Sequence, residues 1–294
     1  MKRLLLLLTV VASLLLARPT ALSAQRGATP AAPQRIVSLV PATTEMLYVM
    51  GAGNRLVGAG SYDRYPPDVE KLPRLGGLLD PSVERLLALR PDLVIVYDSQ
   101  TELRQQLERA HVPMWGYSLK ALPDVTSTMR ALGARIGMAA QGNAAAANIE
   151  AQLSAIQGRV AGRPRPRTLL VFGREPGSLR GINASGGYGF LHDLLELAGG
   201  TDVLGEIRQA AVSMSSEMVL GRAPDVIIEV HYGDSFKNTQ LDAERRVWDS
   251  LQAVPAVRTN RVYLLAGDEF VVPGPRVVQA AERFARALHP DAFR

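Results

Sequence analysis

Two stretches of the chain share one pattern, and this pattern decides the fold. Residues 84–95 read ERLLALRPDLVI, and residues 217–228 read EMVLGRAPDVII. The first glutamate, Glu84, comes four residues after Asp80, and the second, Glu217, comes four residues after Ser213; both preceding residues are candidate helix N-caps. A Pro-Asp pair begins seven residues after each glutamate. Because proline disfavours the helical conformation in the residue before it, each stretch predicts a helix, a turn and a buried strand. The repeat therefore predicts two related halves.

Both halves alternate short apolar strands with longer helical segments. In the first half, strands are predicted at 36–40, 56–59, 93–97 and 112–117, and helices at 43–50, 81–89 and 102–110. In the second half, strands are predicted at 168–172, 226–230 and 262–265, and helices at 190–198 and 276–288. Since such alternation requires crossover connections, it predicts an α/β fold with mainly parallel sheets.

A purely helical region separates the two halves. No strand pattern occurs at 122–160, where two helices are predicted at 125–136 and 144–160. The second helix carries apolar residues at three- and four-residue spacing, which is typical of an amphipathic helix. The predicted units are an N-terminal α/β lobe at 35–121, a helical connector at 122–163 and a C-terminal α/β lobe at 164–294.

The start of the chain has the features of a signal peptide at residues 1–24. Lys2 and Arg3 precede an apolar run at 4–16, and small residues then allow cleavage after Ser23 or Ala24. The run is too short to span a bilayer comfortably, which disfavours an uncleaved membrane anchor. Residues 25–34 are rich in alanine and proline and predict a disordered lead-in. Because the chain has no cysteine, we expect export to a periplasm without a lipid anchor.

The composition excludes nucleic acid as an expected partner. Of the formal net charge of +5, Lys2, Arg3 and Arg18 contribute +3, so removal of the leader leaves about +2. Nucleic-acid binding needs a concentrated basic patch, which this small excess does not provide. The hydrophobic fraction of 47% supports well-formed cores. Without cysteines, stability must come from burial rather than from disulfides.

Glu84 and Glu217 open the two repeated stretches and admit two interpretations. A carboxylate in the first turn of a helix ordinarily complements the helix dipole. Glu84 also lies about 100° around its helix from the inward-facing Val83, so it points away from the core. As a matched pair, one in each half, the two glutamates would suit a symmetric partner with one basic site per half.

Several segments together resemble, in order, the periplasmic binding proteins of ABC importers for vitamin B12, haem and iron-siderophore complexes. The segments are 35–45, 61–67, 84–95, 217–228, and Asp268 with 273–276. The cobalamin-binding branch is the most similar. The resemblance implies two Rossmann-like lobes joined by a single long helix, here at 144–160. It also implies that Glu84 and Glu217 form salt bridges with arginines of a dimeric ABC permease in the inner membrane.

The same resemblance implies a ligand cleft at the C-terminal ends of the strands. The implied ligand-binding residues are Pro41, Ala42, Thr43, Tyr62, Tyr97, Phe172, Asp268 and Phe270. Tyr62 and Tyr97 stand where the cobalamin branch keeps aromatic residues against the corrin, although ordinary packing at strand ends is the alternative. Asp268 matches a polar contact of that branch.

The chain also departs from the pattern of the cobalamin branch. Leu78 and Ala211 stand where that branch places two tryptophans against the ligand, and Val272 stands at the position of a cleft arginine. In haem binders an iron-ligating tyrosine lies near the position of Gly77, so the glycine here argues against haem. The departures weaken the assignment of the ligand more than the assignment of the family.

No motif of catalysis or metal binding stands out in the sequence. The chain has neither a Gly-x-Ser-x-Gly nor a His-Glu-x-x-His motif. Its four histidines, His111, His192, His231 and His289, lack ligand-type spacing, so no metal site and no resident cofactor is predicted. We predict a monomeric, non-enzymatic periplasmic solute-binding protein for cobalamin or a related corrinoid.

Two alternatives remain open from the sequence. The first is a binding protein of the same family that carries a ferric siderophore. The second is an enzyme or a sensor built on the same two-lobed scaffold. Metal-cluster enzymes of this shape need cysteine thiolates, which the chain lacks, so the enzyme alternative is disfavoured.

Overall fold

The structure is a computed structural model of the chain, and it describes residues 31–232 and 238–294. The predicted signal peptide and residues 25–30 of the predicted lead-in lie outside the described residues. Within the described part, no helix combines the length and apolar character needed to cross a membrane. Residues 32–34 form neither helix nor strand, but Pro33 is buried and its carbonyl accepts a hydrogen bond from Arg55 at 3.3 Å. These last residues of the lead-in thus pack against the first lobe.

The N-terminal lobe is built on a four-stranded parallel sheet. Its strands are β1 (Ile36–Ser38), β2 (Leu56–Ala59), β3 (Leu93–Tyr97) and β4 (Met114–Tyr117). Its helices are α1 (Pro41–Val49), α2 (Val83–Ala88) and α3 (Thr101–Arg109). The strand order is β2-β1-β3-β4, and each helix provides the crossover between consecutive strands.

The connector consists of two helices, α4 (Pro123–Arg135) and α5 (Ala139–Val160). α5 is 22 residues long and begins five residues before its predicted start. The predicted start was late because Gly142 weakens the helical pattern. In the structure this glycine lies where α5 packs against α4. A Cβ on Gly142 would lie 2.8 Å from the carbonyl oxygen of Met129, so only glycine permits this close crossing.

The C-terminal lobe is built on a six-stranded mixed sheet. Its strands are β5 (Arg167–Gly173), β6 (Ile182–Ala184), β7 (Thr201–Asp202), β8 (Val212–Met214), β9 (Val226–His231) and β10 (Val262–Ala266). Its helices are α6 (Phe190–Leu197), α7 (Ser216–Arg222), α8 (Asn238–Val247), α9 (Pro255–Arg258) and α10 (Val277–Leu288). The order is β10-β9-β5-β6-β8, with β7 paired to β5; β6 is antiparallel to both of its neighbours.

Short 3₁₀ helices complete the described secondary structure. They span Gly53–Arg55, Pro67–Lys71, Trp248–Ser250, Asp268–Phe270 and Pro290–Phe293.

The central strands of both sheets are covered by apolar side chains on both faces. In β3, Leu93 belongs to a central core and its neighbour Val94 to an outer core of the N-terminal lobe. In β5, Leu170 belongs to the same central core and Leu169 to an outer core of the C-terminal lobe. Successive side chains of a strand point to opposite faces, so each strand supplies two cores.

The central core is continuous across the two lobes. The buried face of α5, with Ile149, Leu153 and Ile156, joins it together with Ile36 of β1 and Leu170 of β5. A close-packed core of this kind resists relative movement of the elements that share it. The predicted α/β fold, with two Rossmann-like lobes and one long connecting helix, is confirmed.

The predicted N-caps of the two repeated helices are wrong by two residues. Asp80 instead accepts a hydrogen bond from the Gly77 amide at 2.9 Å, and Ser82 is the N-cap of α2. Ser213 lies in β8, and Ser215 caps α7 by accepting a hydrogen bond from the Met218 amide at 3.3 Å. The correction is the same in both lobes, so each repeated glutamate is the second residue of its helix.

Candidate functional site

A pocket of about 570 Å³ lies between the lobes, at the carboxyl ends of the two sheets. The N-terminal lobe contributes Tyr97 at the end of β3 and the loops that follow β1 and β2. The C-terminal lobe contributes Tyr232, directly after β9, and Asp268, shortly after β10. Open α/β sheets ordinarily bind ligands at this edge. We call this space the cleft pocket.

The start of α1 brings the two lobes together at the cleft pocket. Pro41 occupies the first helical position after the N-cap residue Val40, and Pro41 and Ala42 both line the pocket. Gly274 of the C-terminal lobe approaches from the other side, and a Cβ there would lie 3.4 Å from the Cα of Ala42. The lobes therefore touch at the pocket, and any larger side chain at position 274 would crowd this contact.

Two tyrosines form an aromatic wall of the cleft pocket. Tyr62 is 68% exposed, and its ring packs over Gly77, where a Cβ would lie 3.0 Å from the Cε2 of the tyrosine. Tyr97 is half-buried and meets the Tyr117 ring edge-on, with 5.7 Å between ring centroids. Burial, aided by the negative charge of Asp63, raises the pKa of Tyr97 to about 12. Its phenol therefore stays neutral and can donate a hydrogen bond.

A buried carboxyl group, Asp63, lies beside this aromatic wall. Asp63 lines the cleft pocket but is only 1% exposed. Neither of its carboxyl oxygens has a hydrogen-bond partner among the described residues. Burial, reinforced by the charge of Glu45, raises the pKa of Asp63 to about 7, although the nearby Thr44 hydroxyl, the Gly60 amide and the charge of Arg74 all oppose the change. The group is therefore partly ionised near neutral pH.

An interlobe ion pair lies next to the cleft pocket. Arg276 of the C-terminal lobe donates two hydrogen bonds to Glu45 on α1, at 2.6 and 3.0 Å. Glu45 is 3% exposed, and its burial raises its pKa although the arginine opposes the change. The Arg276 guanidinium also lies 4.5 Å from the centroid of the Tyr65 ring. This bidentate geometry fixes α1 against the segment that precedes α10.

A smaller cavity of about 280 Å³ adjoins the cleft pocket, and Tyr232 lines both. Arg174 is buried there and forms ion pairs with Glu229 at 3.0 Å and with Glu244 at 2.7 Å. Burial would raise the pKa of Glu229, but hydrogen bonds and the Arg174 charge hold it below its usual value. Because Arg174 is committed to these carboxylates, it is not available to meet an acidic ligand.

The cleft pocket brings together five of the eight predicted ligand-binding residues. They are Pro41, Ala42, Tyr62, Tyr97 and Asp268. The side chains that sequence reasoning did not assign to the ligand include Asp63, Leu79 and Tyr232. Asp63 lies within segment 61–67, which shares in the family resemblance, but a lone aspartate in a loop carries no signal of burial. Leu78, at the position of a tryptophan in the cobalamin branch, also lines the pocket.

The other three predicted ligand-binding residues do not line the cleft pocket. Thr43 is fully buried and donates its hydroxyl to the Val40 carbonyl at 2.9 Å. Phe270 is 1% exposed and stacks on Phe284 with ring centroids 5.3 Å apart, so it packs the central core. Phe172 lines the smaller cavity instead. Adjacent residues at a strand or helix end point in different directions, and the sequence did not resolve which of them face the pocket.

Glu84 and Glu217 occupy equivalent places at the cleft-bearing edges of the two lobes. Each is exposed, and each is the second residue of a helix that leads into a parallel strand of its sheet. Such a helix starts at the carboxyl edge of the sheet, which is the edge that carries the cleft pocket. Neither carboxylate has an ion-pair partner among the described residues. Hydrogen bonds from Ser215 and from the Glu217 amide hold the pKa of Glu217 below its usual value.

Among the described residues, no cluster of three or more metal-ligating side chains occurs. A two-lobed α/β fold with a pocket between the carboxyl edges of its sheets is suited to binding a small molecule, and solute-binding proteins are the class that this arrangement favours.

Comparison with known proteins places the chain within this class. Residues 36–269 match the family described as periplasmic binding protein. The vitamin B12-binding protein of Pectobacterium atrosepticum is 28% identical over 265 residues, which are 88% of this chain and 89% of that protein. The chain belongs to the periplasmic binding protein family.

Solved structures share the fold at lower identity. The periplasmic vitamin B12 binding protein BtuF of Vibrio cholerae superposes with a TM-score of 0.74 at 23% identity, over 90% of this chain and 100% of that one. The periplasmic heme-binding protein RhuT from Roseiflexus sp. RS-1 also gives 0.74, at 24% identity, over 88% and 99% of the two chains. The same fold thus occurs in proteins named for different ligands, so the fold alone does not select among them.

Proposed function

We propose that this protein is the solute-binding component of an ABC importer and that its cleft pocket holds cobalamin or a related corrinoid. The observation that carries the proposal is the composition of the pocket. An aromatic and apolar wall, with Tyr62, Tyr97 and Leu78, stands beside the carboxyl groups of Asp63 and Asp268. A corrinoid presents an apolar ring edge and primary amide groups, which such a wall and such acceptors would complement.

The charges of the pocket favour a corrinoid over haem. Haem carries two carboxylates, which Asp63 and Asp268 would repel, although Arg64 also lines the pocket. The amide groups of a corrinoid are neutral and donate hydrogen bonds, so they meet no such repulsion.

A ferric siderophore is the second candidate, and the same two carboxyl groups support it. A hydroxamate siderophore such as ferrioxamine B carries amide N–H groups and an ammonium group, and both are attracted to carboxylates. It lacks the broad planar ring that the tyrosine wall would cover. The corrinoid therefore uses more of the pocket than the siderophore does.

Isothermal titration calorimetry with three ligands tests the proposal. The protein is titrated with cyanocobalamin, ferrioxamine B and haemin under one buffer condition. We expect saturable heat with cyanocobalamin and weaker heat, or none, with the other two. Saturable heat with ferrioxamine B or haemin and none with cyanocobalamin would overturn the assignment of the ligand, while leaving the class of binding protein intact.

We further propose that the mature chain acts in the periplasm, without catalysis, as a monomer that docks on a dimeric permease. Its family supports this proposal, and so do the paired positions of Glu84 and Glu217. Each glutamate stands exposed at the cleft-bearing edge of its lobe. A permease with one arginine-bearing surface in each of its two subunits would bind Glu84 and Glu217 at the same time. Such a permease would then face the opening of the cleft.

A further inference from the structure

We propose that the Asp63 carboxylate determines ligand specificity in the cleft pocket, where its two oxygens accept hydrogen bonds from an amide N–H group of the ligand. This inference rests on the proposed function, because it names the chemical group that the pocket recognises. The predicted ligand-binding residues do not include Asp63. Its position, its burial and its lack of partners carry the inference.

The protein leaves both carboxyl oxygens of Asp63 without a hydrogen-bond donor among the described residues. Two potential donors lie nearby, but each is already used. The Thr44 hydroxyl donates to the Val40 carbonyl at 3.3 Å, and the Gly60 amide donates to the Ser38 carbonyl at 3.1 Å. Both groups lower the pKa of Asp63 from nearby, but their hydrogen bonds to these carbonyls leave the carboxyl oxygens without a well-aligned donor.

Arg74 also fails to act as a partner of the Asp63 carboxyl group. Its guanidinium donates to the main-chain carbonyls of Asp63 and Gly60, at 2.6 and 3.0 Å. The arginine thus holds the loop in place through main-chain atoms, and these hydrogen bonds do not include the Asp63 carboxyl group. A Cβ on Gly60 would lie 2.8 Å from one carboxyl oxygen of Asp63, so the glycine makes room for the carboxyl group.

A buried polar group without partners is costly, which argues against a purely structural role for Asp63. Leaving a buried acceptor unsatisfied costs the desolvation free energy of the group without compensation, and the cost is larger for a charged group. Buried polar groups in folded proteins are nearly always paired, and exceptions concentrate where a ligand or a reaction supplies the partner. Asp63 lines the cleft pocket, so a ligand there can supply the missing donors.

An amide is the ligand group that suits this site best. A primary amide offers two N–H donors on one nitrogen, and an ionised carboxyl group offers only acceptors. Hydrogen bonds to an ionised group in a dry site are about twice as strong as neutral ones. The ionised Asp63 also repels ligand carboxylates such as those of haem. Asp63 therefore selects for ligands that present amide groups and against ligands that present carboxylates.

The surroundings of Asp63 determine how its charge responds to pH. The titratable and charged groups nearby are Glu45 on α1, Arg64 and Arg74 on the connecting loops, Tyr97 at the end of β3 and Asp268 of the other lobe. With a pKa of about 7, about one-tenth of Asp63 is ionised at about pH 6 and about nine-tenths at about pH 8. A ligand that binds only the ionised form should therefore bind about tenfold more tightly at the higher pH.

The test compares wild type with Asp63→Asn and Asp63→Ala by calorimetry with cyanocobalamin at about pH 6 and about pH 8. Asp68→Asn, which changes an exposed aspartate of the same lobe, is the matched control. We expect the wild type and the control to gain about tenfold in affinity at the higher pH. Both Asp63 variants should lose this dependence and bind about tenfold more weakly than wild type at about pH 8.

The outcomes separate this inference from the proposed function. Wild-type binding of cyanocobalamin that Asp63→Asn and Asp63→Ala leave unchanged overturns the inference and leaves the proposed function standing. If cyanocobalamin gives no heat, the proposed ligand is wrong, and the same comparison is made with ferrioxamine B, which also carries amide N–H groups. If the affinity for ferrioxamine B falls in the Asp63 variants, the inference is supported. If that affinity is unchanged in the variants, or if neither ligand gives heat, the inference is overturned.

Discussion

At the scale of single residues, Asp63 shows how one carboxyl group couples the site to the stability of the fold. Its folded-state pKa of about 7 lies well above the ordinary value of 3.8, mainly because the group is buried. The folded protein therefore keeps a proton on Asp63 that the unfolded chain releases. The stability that Asp63 contributes is complete below about pH 4 and is lost as the pH rises to about 7.

Asp63→Asn should remove this loss of stability. The amide is neutral at every pH, so the variant no longer needs to bury a charge. We expect the free energy of unfolding of the variant to exceed that of wild type by up to about 4 kcal/mol at about pH 8. The difference should shrink towards zero near pH 4.

Urea unfolding of both proteins at about pH 4, 6 and 8 measures this difference. Glu45 also has a raised pKa and is present in both proteins, so the difference between them reports Asp63 together with its electrostatic interaction with Glu45. A constant difference between the two proteins across this range would mean that Asp63 does not titrate there.

At the scale of elements, the Glu45–Arg276 pair fastens α1 of one lobe to the start of α10 in the other. The two residues are 231 positions apart, and both are largely buried. No local pattern in the sequence predicts such a contact, because a glutamate within one helix and an arginine before another are ordinary surface residues until the lobes pack together. Helix and strand positions, in contrast, followed from apolar periodicity and from proline and glycine.

Breaking this pair from one side should destabilise the protein strongly. Arg276→Met leaves the Glu45 carboxylate buried without its partner, for which we expect a loss of about 3–5 kcal/mol in the free energy of unfolding. The matched control is Arg130→Met, which breaks an equally bidentate but exposed pair with Glu150 on α5. There we expect a loss below about 1 kcal/mol.

Urea unfolding of the two variants at neutral pH compares the pairs directly. The double variant Glu45→Gln with Arg276→Met should recover part of the loss, because no buried charge remains. Equal losses in the two single variants would show that burial does not distinguish the pairs.

At the scale of the whole molecule, the two lobes share one core and present matched glutamates at their cleft-bearing edges. The repeat that runs from Glu84 or Glu217 to a Pro-Asp pair predicted two related halves, and the alternation of strands and helices predicted their α/β class. It did not predict the short strands β6, β7 and β8, which have only two or three residues each and too few positions for a pattern. The pocket was predicted in part, since residues at strand ends were known but their directions were not.

The paired glutamates make a prediction about the assembled importer. Glu84→Lys with Glu217→Lys should abolish ligand uptake through the permease while leaving the affinity for the ligand unchanged, because both residues are exposed and neither lines the cleft pocket. Uptake by reconstituted permease and calorimetry of the free protein measure the two properties. Glu108→Lys, a charge reversal at an exposed site on α3, is the control. Normal uptake by the double variant would contradict docking through these residues.

The central claim is that the cleft pocket binds a corrinoid, and titration of the pocket variants with cyanocobalamin tests it most directly. We predict that each wild-type chain binds one cyanocobalamin molecule. The double variant Tyr62→Ala with Tyr97→Ala should show a large loss of affinity, because contacts with the aromatic wall supply much of the binding free energy. Tyr188→Ala, at an exposed tyrosine that does not line the pocket, should bind as wild type does. No saturable heat with wild type, or equal affinity in the double tyrosine variant, would contradict the claim.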